Sequence, residues 1–173
     1  MKKIVLSKKK GILFWITGLP GSGKLSIAKL IKNKIIQNYG PTIIINGNYI
    51  RRIFDLKKYE PQESLGNGIK FSNLCKFLTD QKVNVIFAVV GLFNKIRKKN
   101  KHNIKNYVEI YLKTDMKKII TKRKKILYQK YKNNNKVEFP KKPNIKIINN
   151  FNRNARVMAD EILIKIQKNI IIK

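Results

Sequence analysis

A chain of 173 residues with 43% hydrophobic content is long enough to bury a core and too apolar to remain disordered. Its one cysteine, Cys75, excludes an internal disulfide framework, and no apolar run approaches the roughly 20 residues a membrane helix needs. The formal net charge of +31 points first to polyanions, yet arginine occurs only at Arg51, Arg52, Arg97, Arg123, Arg153 and Arg156, so the bidentate guanine contacts of a base reader are scarce.

Lysine is accompanied throughout by isoleucine and asparagine, which share A/T-rich codons, and the excess reads as a compositional, solvated surface. Nucleic acid is then expected only as a non-specific charge partner. Residues 1–10 form a basic segment whose short apolar stretch is cut by Lys8, Lys9 and Lys10 before a secretory core forms. A single cytoplasmic domain with no membrane partner is expected, and a homodimer stays open.

Taken in order, residues 12–17 read as a buried strand and 25–37 as a helix, with Ile27, Leu30, Ile31 and Ile35 at helical spacing. Residues 41–45 give a second strand, 50–56 a short helix, and a loop around Pro61 leads to a helix over 64–79. A third strand at 83–90, a helix at 93–101, a fourth strand at 107–113 and a basic helix at 115–131 follow. After a loop over 133–143, a short last strand at 145–148 and a helix at 152–167 close the domain. Residues 169–173 either fray or make an edge contact. Strands alternating with helices predict an α/β fold, a mostly parallel sheet of about five strands with helices on both faces.

Between the first strand and first helix stands Gly18-Leu19-Pro20-Gly21-Ser22-Gly23-Lys24, the spacing of a phosphate-binding loop in the context such a loop requires. Glycines let the backbone N–H groups turn inward round the phosphates, the helix N-terminus adds positive potential, and Lys24 reaches the outer phosphates. ATP is the implied ligand. The next position, normally Ser or Thr for Mg²⁺, is Leu25, which has no ligand atom. Ser26 is the nearest candidate, but successive helical residues point about 100° apart, and it reads as an ordinary helix-start serine.

The stretch from Gly11 to Lys24 resembles the opening strand and phosphate loop of the adenylylsulfate kinases. Residues 74–81 resemble that family's central helix, 107–112 its fourth strand and 143–147 its last. This resemblance implies transfer of the ATP γ-phosphate, assisted by Mg²⁺, to the ribose 3′-hydroxyl of adenylyl sulfate or of a related nucleotide-linked acceptor. Leu92-Phe93, in place of the family's Ser-Pro-Tyr/Phe run, leans toward relatives that act on other acceptors, including cytidine-based capsule precursors. By the same resemblance Lys24 stabilises transferred charge, Asn46 occupies a catalytic position, and Asn48, Arg51 and Phe93 face the acceptor. Residues 115–143 form a basic lid by that resemblance, in which Lys122 to Tyr128 align with the family's Arg-Asp-x-Lys-Gly-Leu-Tyr, its Asp and Gly falling on Arg123 and Ile126.

The family's Asp-Gly-Asp reads Asn46-Gly47-Asn48 here, and its second substrate arginine falls on Ser64. Asparagine accepts a hydrogen bond but takes no proton at neutral pH. Tyr59, Phe71 and Phe93 are candidates to stack on a base or to pack in the core. His102 is expected on the surface, and Cys75 in the core as a small hydrophobe. Three readings follow: a kinase of this family, a nucleotide-binding relative with little turnover, and a basic nucleic-acid-binding protein.

Overall fold

The computed structural model describes residues 3–56, 61–115, 117–119 and 138–173. Its elements in order are β1 (Ile4–Leu6), β2 (Leu13–Gly18), α1 (Lys24–Tyr39), β3 (Thr42–Asn46), α2 (Gly47–Ile53), α3 (Pro61–Asp80), β4 (Asn84–Ala88), α4 (Asn94–Asn103), β5 (Tyr107–Lys113), β6 (Ile145–Ile148), α5 (Ala155–Asn169) and β7 (Ile170–Ile172). Five strands form one sheet in the order β3-β4-β2-β5-β6, every neighbouring pair parallel, as the alternation of strands and helices predicts.

The central strand is β2, and all six of its residues are buried. Side chains alternate across a strand, so Phe14 and Ile16 pack on one face with Ile27, Ile31 and Ile35 of α1 and Met158, Ile162 and Ile166 of α5. Leu13 and Trp15 point to the other face and meet Phe71 and Cys75 of α3 and Ile96 of α4. Each fully buried aliphatic or aromatic side chain contributes about 1.5–3 kcal/mol of transfer free energy. Two covered faces explain why β2 and β4 read as unbroken apolar runs. Among the described residues no helix is long and apolar enough to cross a membrane.

Several boundaries differ from the sequence reading, each for a local reason. Helix α2 begins at Gly47, not residue 50, because Asn46 caps it with its side-chain oxygen on the Asn48 N–H at 2.9 Å. Pro61 opens α3 instead of sitting in a loop, since a proline at a first helical turn loses no bond. Strand β4 stops at Ala88, before the turn at Gly91, whose φ is 46°. Helix α5 starts at Ala155, capped by Asn154, and runs to Asn169. Of the expected helix over 115–131, residues 117–119 are helical, Asp115 precedes them outside the helix, and 116 and 120–131 fall outside the described residues.

The two ends of the chain form a second sheet. Apolar Ile4, Val5 and Leu6 pair in parallel with Ile170, Ile171 and Ile172, and Lys173 N–H donates to the Leu6 carbonyl at 2.8 Å. Asn106 ties this sheet to the domain: its side chain accepts from Ser7 N–H at 2.8 Å and donates to the carbonyls of Ser7 and Lys10 at 2.8 and 2.9 Å. The basic leading segment therefore contains a strand, and the last residues make the edge contact.

Buried Asn84 does the same at the base of the main sheet. Its side-chain oxygen accepts from Ile12 N–H at 2.9 Å, and its amide donates to the Tyr39 carbonyl at 2.8 Å. The isosteric change Asn84→Leu strands both backbone groups, each at about 1–3 kcal/mol. A lower urea midpoint at unchanged m-value is expected; an unchanged midpoint would show that these bonds add nothing net.

Candidate active site

Strand β2 ends at Gly18, where the chain leaves the sheet, loops, and re-enters as α1. Gly21 and Gly23 hold φ of 79° and 90°, in the left-handed region that favours glycine. Gly23 is the N-cap residue, and neither a side-chain cap nor an acidic first-turn residue accompanies it. The first N–H groups of α1, which have no intrahelical acceptor, thus face the loop. Together with the helix dipole they form an anion-binding concavity.

Lys24 folds back over the loop it terminates. Its ammonium donates to the carbonyls of Gly18 at 3.0 Å and Leu19 at 2.7 Å, and to Ser22 Oγ at 3.4 Å. The residue as a whole is half-buried, but its charged end lies inside this ring of oxygens, away from water. Desolvation pulls its pKa from 10.5 down to about 7.

Asn149 supports the loop from behind, and the sequence reading missed it. Buried after β6, it donates from its side-chain amide to the Ser22 carbonyl at 3.0 Å and accepts from Phe151 N–H at 2.9 Å. An asparagine pair just past the carboxyl end of a parallel strand was the available signal, since ligands of open α/β sheets bind at that edge.

Beside the loop opens a cavity of about 380 Å³ between the ends of β2, β3 and β4 and the helices α2 and α3. It gathers most of the residues predicted from sequence: Pro20, Gly21, Gly23, Lys24, Leu25, Ser26, Asn46, Asn48, Arg51, Ser64, Phe71 and Phe93. Gly18 and the buried Leu19 and Ser22 build the loop from beneath and do not line this wall. Leu19 lines a separate cavity of about 700 Å³ near the ends of β5 and β6, with Thr114, Asp115 and Phe139. His102 is exposed and Cys75 fully buried, away from the cleft, and burial raises the Cys75 thiol. Tyr59 and Lys122 to Tyr128 lie outside the described residues.

Arg51 is pinned in place. One of its terminal nitrogens donates to the Gly47 carbonyl at 3.2 Å and to Asn48 Oδ1 at 3.3 Å, and the guanidinium lies 5.4 Å from the Phe71 ring centroid. Phe71 is therefore both core and a platform for a cation. Opposite it, the loop carrying Phe93 is held by Arg97, which bonds the Gly91 carbonyl at 3.3 Å and Asn94 Oδ1 at 2.5 Å and pairs with Glu109 at 3.1 Å. Desolvation raises the Glu109 carboxyl, and the Arg97 charge opposes that rise. Gly91 cannot gain a side chain, because a Cβ there would lie 2.8 Å from the Trp15 ring.

The donor set for Mg²⁺ does not fit. Leu25 offers no oxygen, Ser26 is exposed on the neighbouring helical position, and Asn46 Oδ1, which accepts from Asn48 N–H, is a neutral amide oxygen in place of a carboxylate. Among the described residues no acidic group joins them in the cleft lining, and no cluster of three or more His, Cys, Asp or Glu side chains is placed to hold a metal. Protein-held Mg²⁺ ordinarily rests on one or two carboxylates besides substrate phosphates.

A glycine loop at the carboxyl end of the central parallel strand, a lysine folded over it and a polar cleft alongside define a P-loop kinase fold. The adenylylsulphate kinase family model matches residues 10–146, and the chain belongs to that family of nucleotide kinases. A cytidine diphosphoramidate kinase of Campylobacter jejuni is 33% identical over 165 residues, covering 91% of this chain and 97% of that protein. An adenylyl-sulfate kinase of Buchnera aphidicola is 30% identical over 125 residues, covering 70% and 59%. The solved APS kinase of Mycobacterium tuberculosis, in complex with AMPPNP and APS, matches with a TM-score of 0.77 at 20% identity, covering 91% of this chain and 98% of that one. This last likeness is one of fold.

The lowered Lys24 pKa has a definite sign in stability. Folded, the amine titrates near 7, against 10.5 as the ordinary value, so between these limits the unfolded chain binds more protons and stability rises with pH. Lys24→Met removes the buried amine. It is expected to raise the melting temperature at pH 7 and below, with the gain over the parent shrinking as pH approaches 10.5. A constant difference across that range would show that Lys24 is not desolvated.

Proposed function

We propose that this chain is an ATP-dependent kinase that transfers the γ-phosphate to a hydroxyl of a nucleotide-linked acceptor, with cytidine diphosphoramidate the first candidate acceptor and adenylyl sulfate the second. The observation that carries this reading is the convergence of Lys24 and Arg51 on one cleft. Two cations held at the ends of different strands provide a place for the transferring phosphoryl group and another for an anionic acceptor. The ranking of acceptors rests on the cytidine diphosphoramidate kinase relative, whose match extends over nearly its whole length.

The roles follow from position. Backbone N–H groups of residues 18–24 cradle the triphosphate, and Lys24 leaves its loop carbonyls to meet phosphate oxygens, regaining full charge beside the anion. Phosphoryl transfer involves a loose transition state, so holding and charge stabilisation do most of the catalysis. Arg51 has little freedom left to lose on binding, which favours its use as a fixed anion anchor. Phe93 and Phe71 offer ring surface for the acceptor base. Mg²⁺ enters with the phosphates of the nucleotide. A second reading, a nucleotide-binding relative with little turnover, is favoured by Leu25, Asn46, Asn48 and Ser64 occurring together.

ATP is expected to raise the melting temperature of the parent and not of Lys24→Ala. A ligand at a hundredfold excess over Kd stabilises by about 2.7 kcal/mol. No shift at millimolar ATP removes the nucleotide reading altogether. Incubation with ATP and each acceptor then separates the two readings: phosphorylated product well above background, lost in Arg51→Ala, supports the kinase, and none with any acceptor supports the binding protein.

A further inference from the structure

Acidic side chains are few enough in this chain to be followed one by one. There are nine against forty Lys and Arg. Asp80 pairs with Lys10 at 3.0 Å and with Lys76. Glu109 is paired with Arg97 behind the acceptor loop at 3.1 Å. Glu161 holds Arg153 and Lys165 at 2.7 Å on α5, with Asp160 beside it in the same helix. Asp115 accepts from Lys117 N–H at 2.9 Å, Glu138 accepts from Asn94 N–H at 2.6 Å, and Asp55 is exposed past the end of α2. None of these seven lines the cleft, whose described charged residues are Lys24 and Arg51 alone. Residues 120–137 contain no Asp or Glu. Glu60 and Glu63 complete the nine.

We propose that phosphoryl transfer in this protein is run by fixed cations alone, the protein supplying neither an oxygen ligand to a divalent metal nor a carboxylate to receive the acceptor's proton. This rests on the kinase reading and adds how its charges are managed. At the acceptor side stand Asn46 and Asn48, whose carboxamides hydrogen-bond but take no proton. Asn46 Oδ1 accepts from Asn48 N–H, and Asn48 Oδ1 accepts from Arg51. At the metal position stands Leu25.

The chemistry balances without a protein base. The acceptor oxygen bonds to the γ-phosphorus while the bond from that phosphorus to the β–γ bridging oxygen breaks, and ADP leaves with that electron pair. The acceptor's proton passes to a non-bridging oxygen of the transferred phosphoryl group and from there to water. A positioned base is typically worth about 10²–10⁴ in rate, so the site forgoes that factor and relies on positioning and charge.

Calorimetry of ATP binding at matched ionic strength provides the first test. Magnesium cancels part of the triphosphate charge, so a site of fixed cations with no metal ligand binds ATP at least as tightly in EDTA as in excess Mg²⁺. Parent Kd in Mg²⁺ is expected to equal or exceed that in EDTA, and Leu25→Ser with Asn46→Asp is expected to reverse the order. Tightening of the parent by Mg²⁺ of tenfold or more overturns the proposal. The second test is turnover: Glu60→Gln and Glu63→Gln are expected to keep kcat within twofold of the parent. A hundredfold loss in either, with ATP affinity unchanged, reveals a protein base and also overturns it. If no acceptor is phosphorylated the kinase reading fails, while the calorimetry still decides the metal and charge claim.

Discussion

The ammonium of Lys24, drawn into a ring of oxygens at the end of the central strand, is the constraint on which the site depends. A lysine there is costly in the folded chain, as its lowered pKa records, and it becomes favourable only beside an anion. The fold accepts that cost because β2 is buried on both faces and paired on both edges, so the strand end cannot relax away from the loop. Thr17 Oγ1 bonded to the Val90 carbonyl and Asn149 bonded to the Ser22 carbonyl hold the same point from two sides.

The second half of the cleft is built on a different principle. Arg51 is held by a carbonyl, an amide and a ring, and Arg97 by a carbonyl, an amide and the Glu109 carboxylate, so the loops on this side of the cleft are organised around guanidinium groups. Asparagines take over joining tasks throughout the fold: Asn84 at the base of the main sheet, Asn106 at the end sheet, Asn149 under the loop and Asn46 at a helix start. Each satisfies backbone groups without adding charge, which suits a chain already rich in positive charge.

Much of this was legible beforehand because it follows from short-range rules. The glycine spacing of 18–24, the apolar runs of β2 and β4 and the 3.6-residue period of α1 each point to one structure, and the cleft residues Asn46, Asn48, Arg51, Ser64 and Phe93 followed from their resemblance to a family pattern. What escaped depends on pairing between distant segments. Nothing within Ile4 to Leu6 announces that its partner lies at Ile170 to Ile172, because a three-residue apolar triplet carries no partner information. Asn149 escaped because its role is defined by the Ser22 carbonyl far away in sequence. The start of α3 at Pro61 was misread because a proline signals both a loop and a first helical turn.

Gly91 has no side chain because Trp15 occupies that space, and Trp15 is the chain's one tryptophan. Its ring is fully buried, stacked on Phe87 with centroids 5.1 Å apart, and it forms part of the cleft floor under the loop that carries Phe93. The protein thus has a built-in optical reporter in the cleft. Its emission arises from one environment, free of the averaging that several indoles impose, and any shift of the 90–93 loop changes the packing against that ring directly.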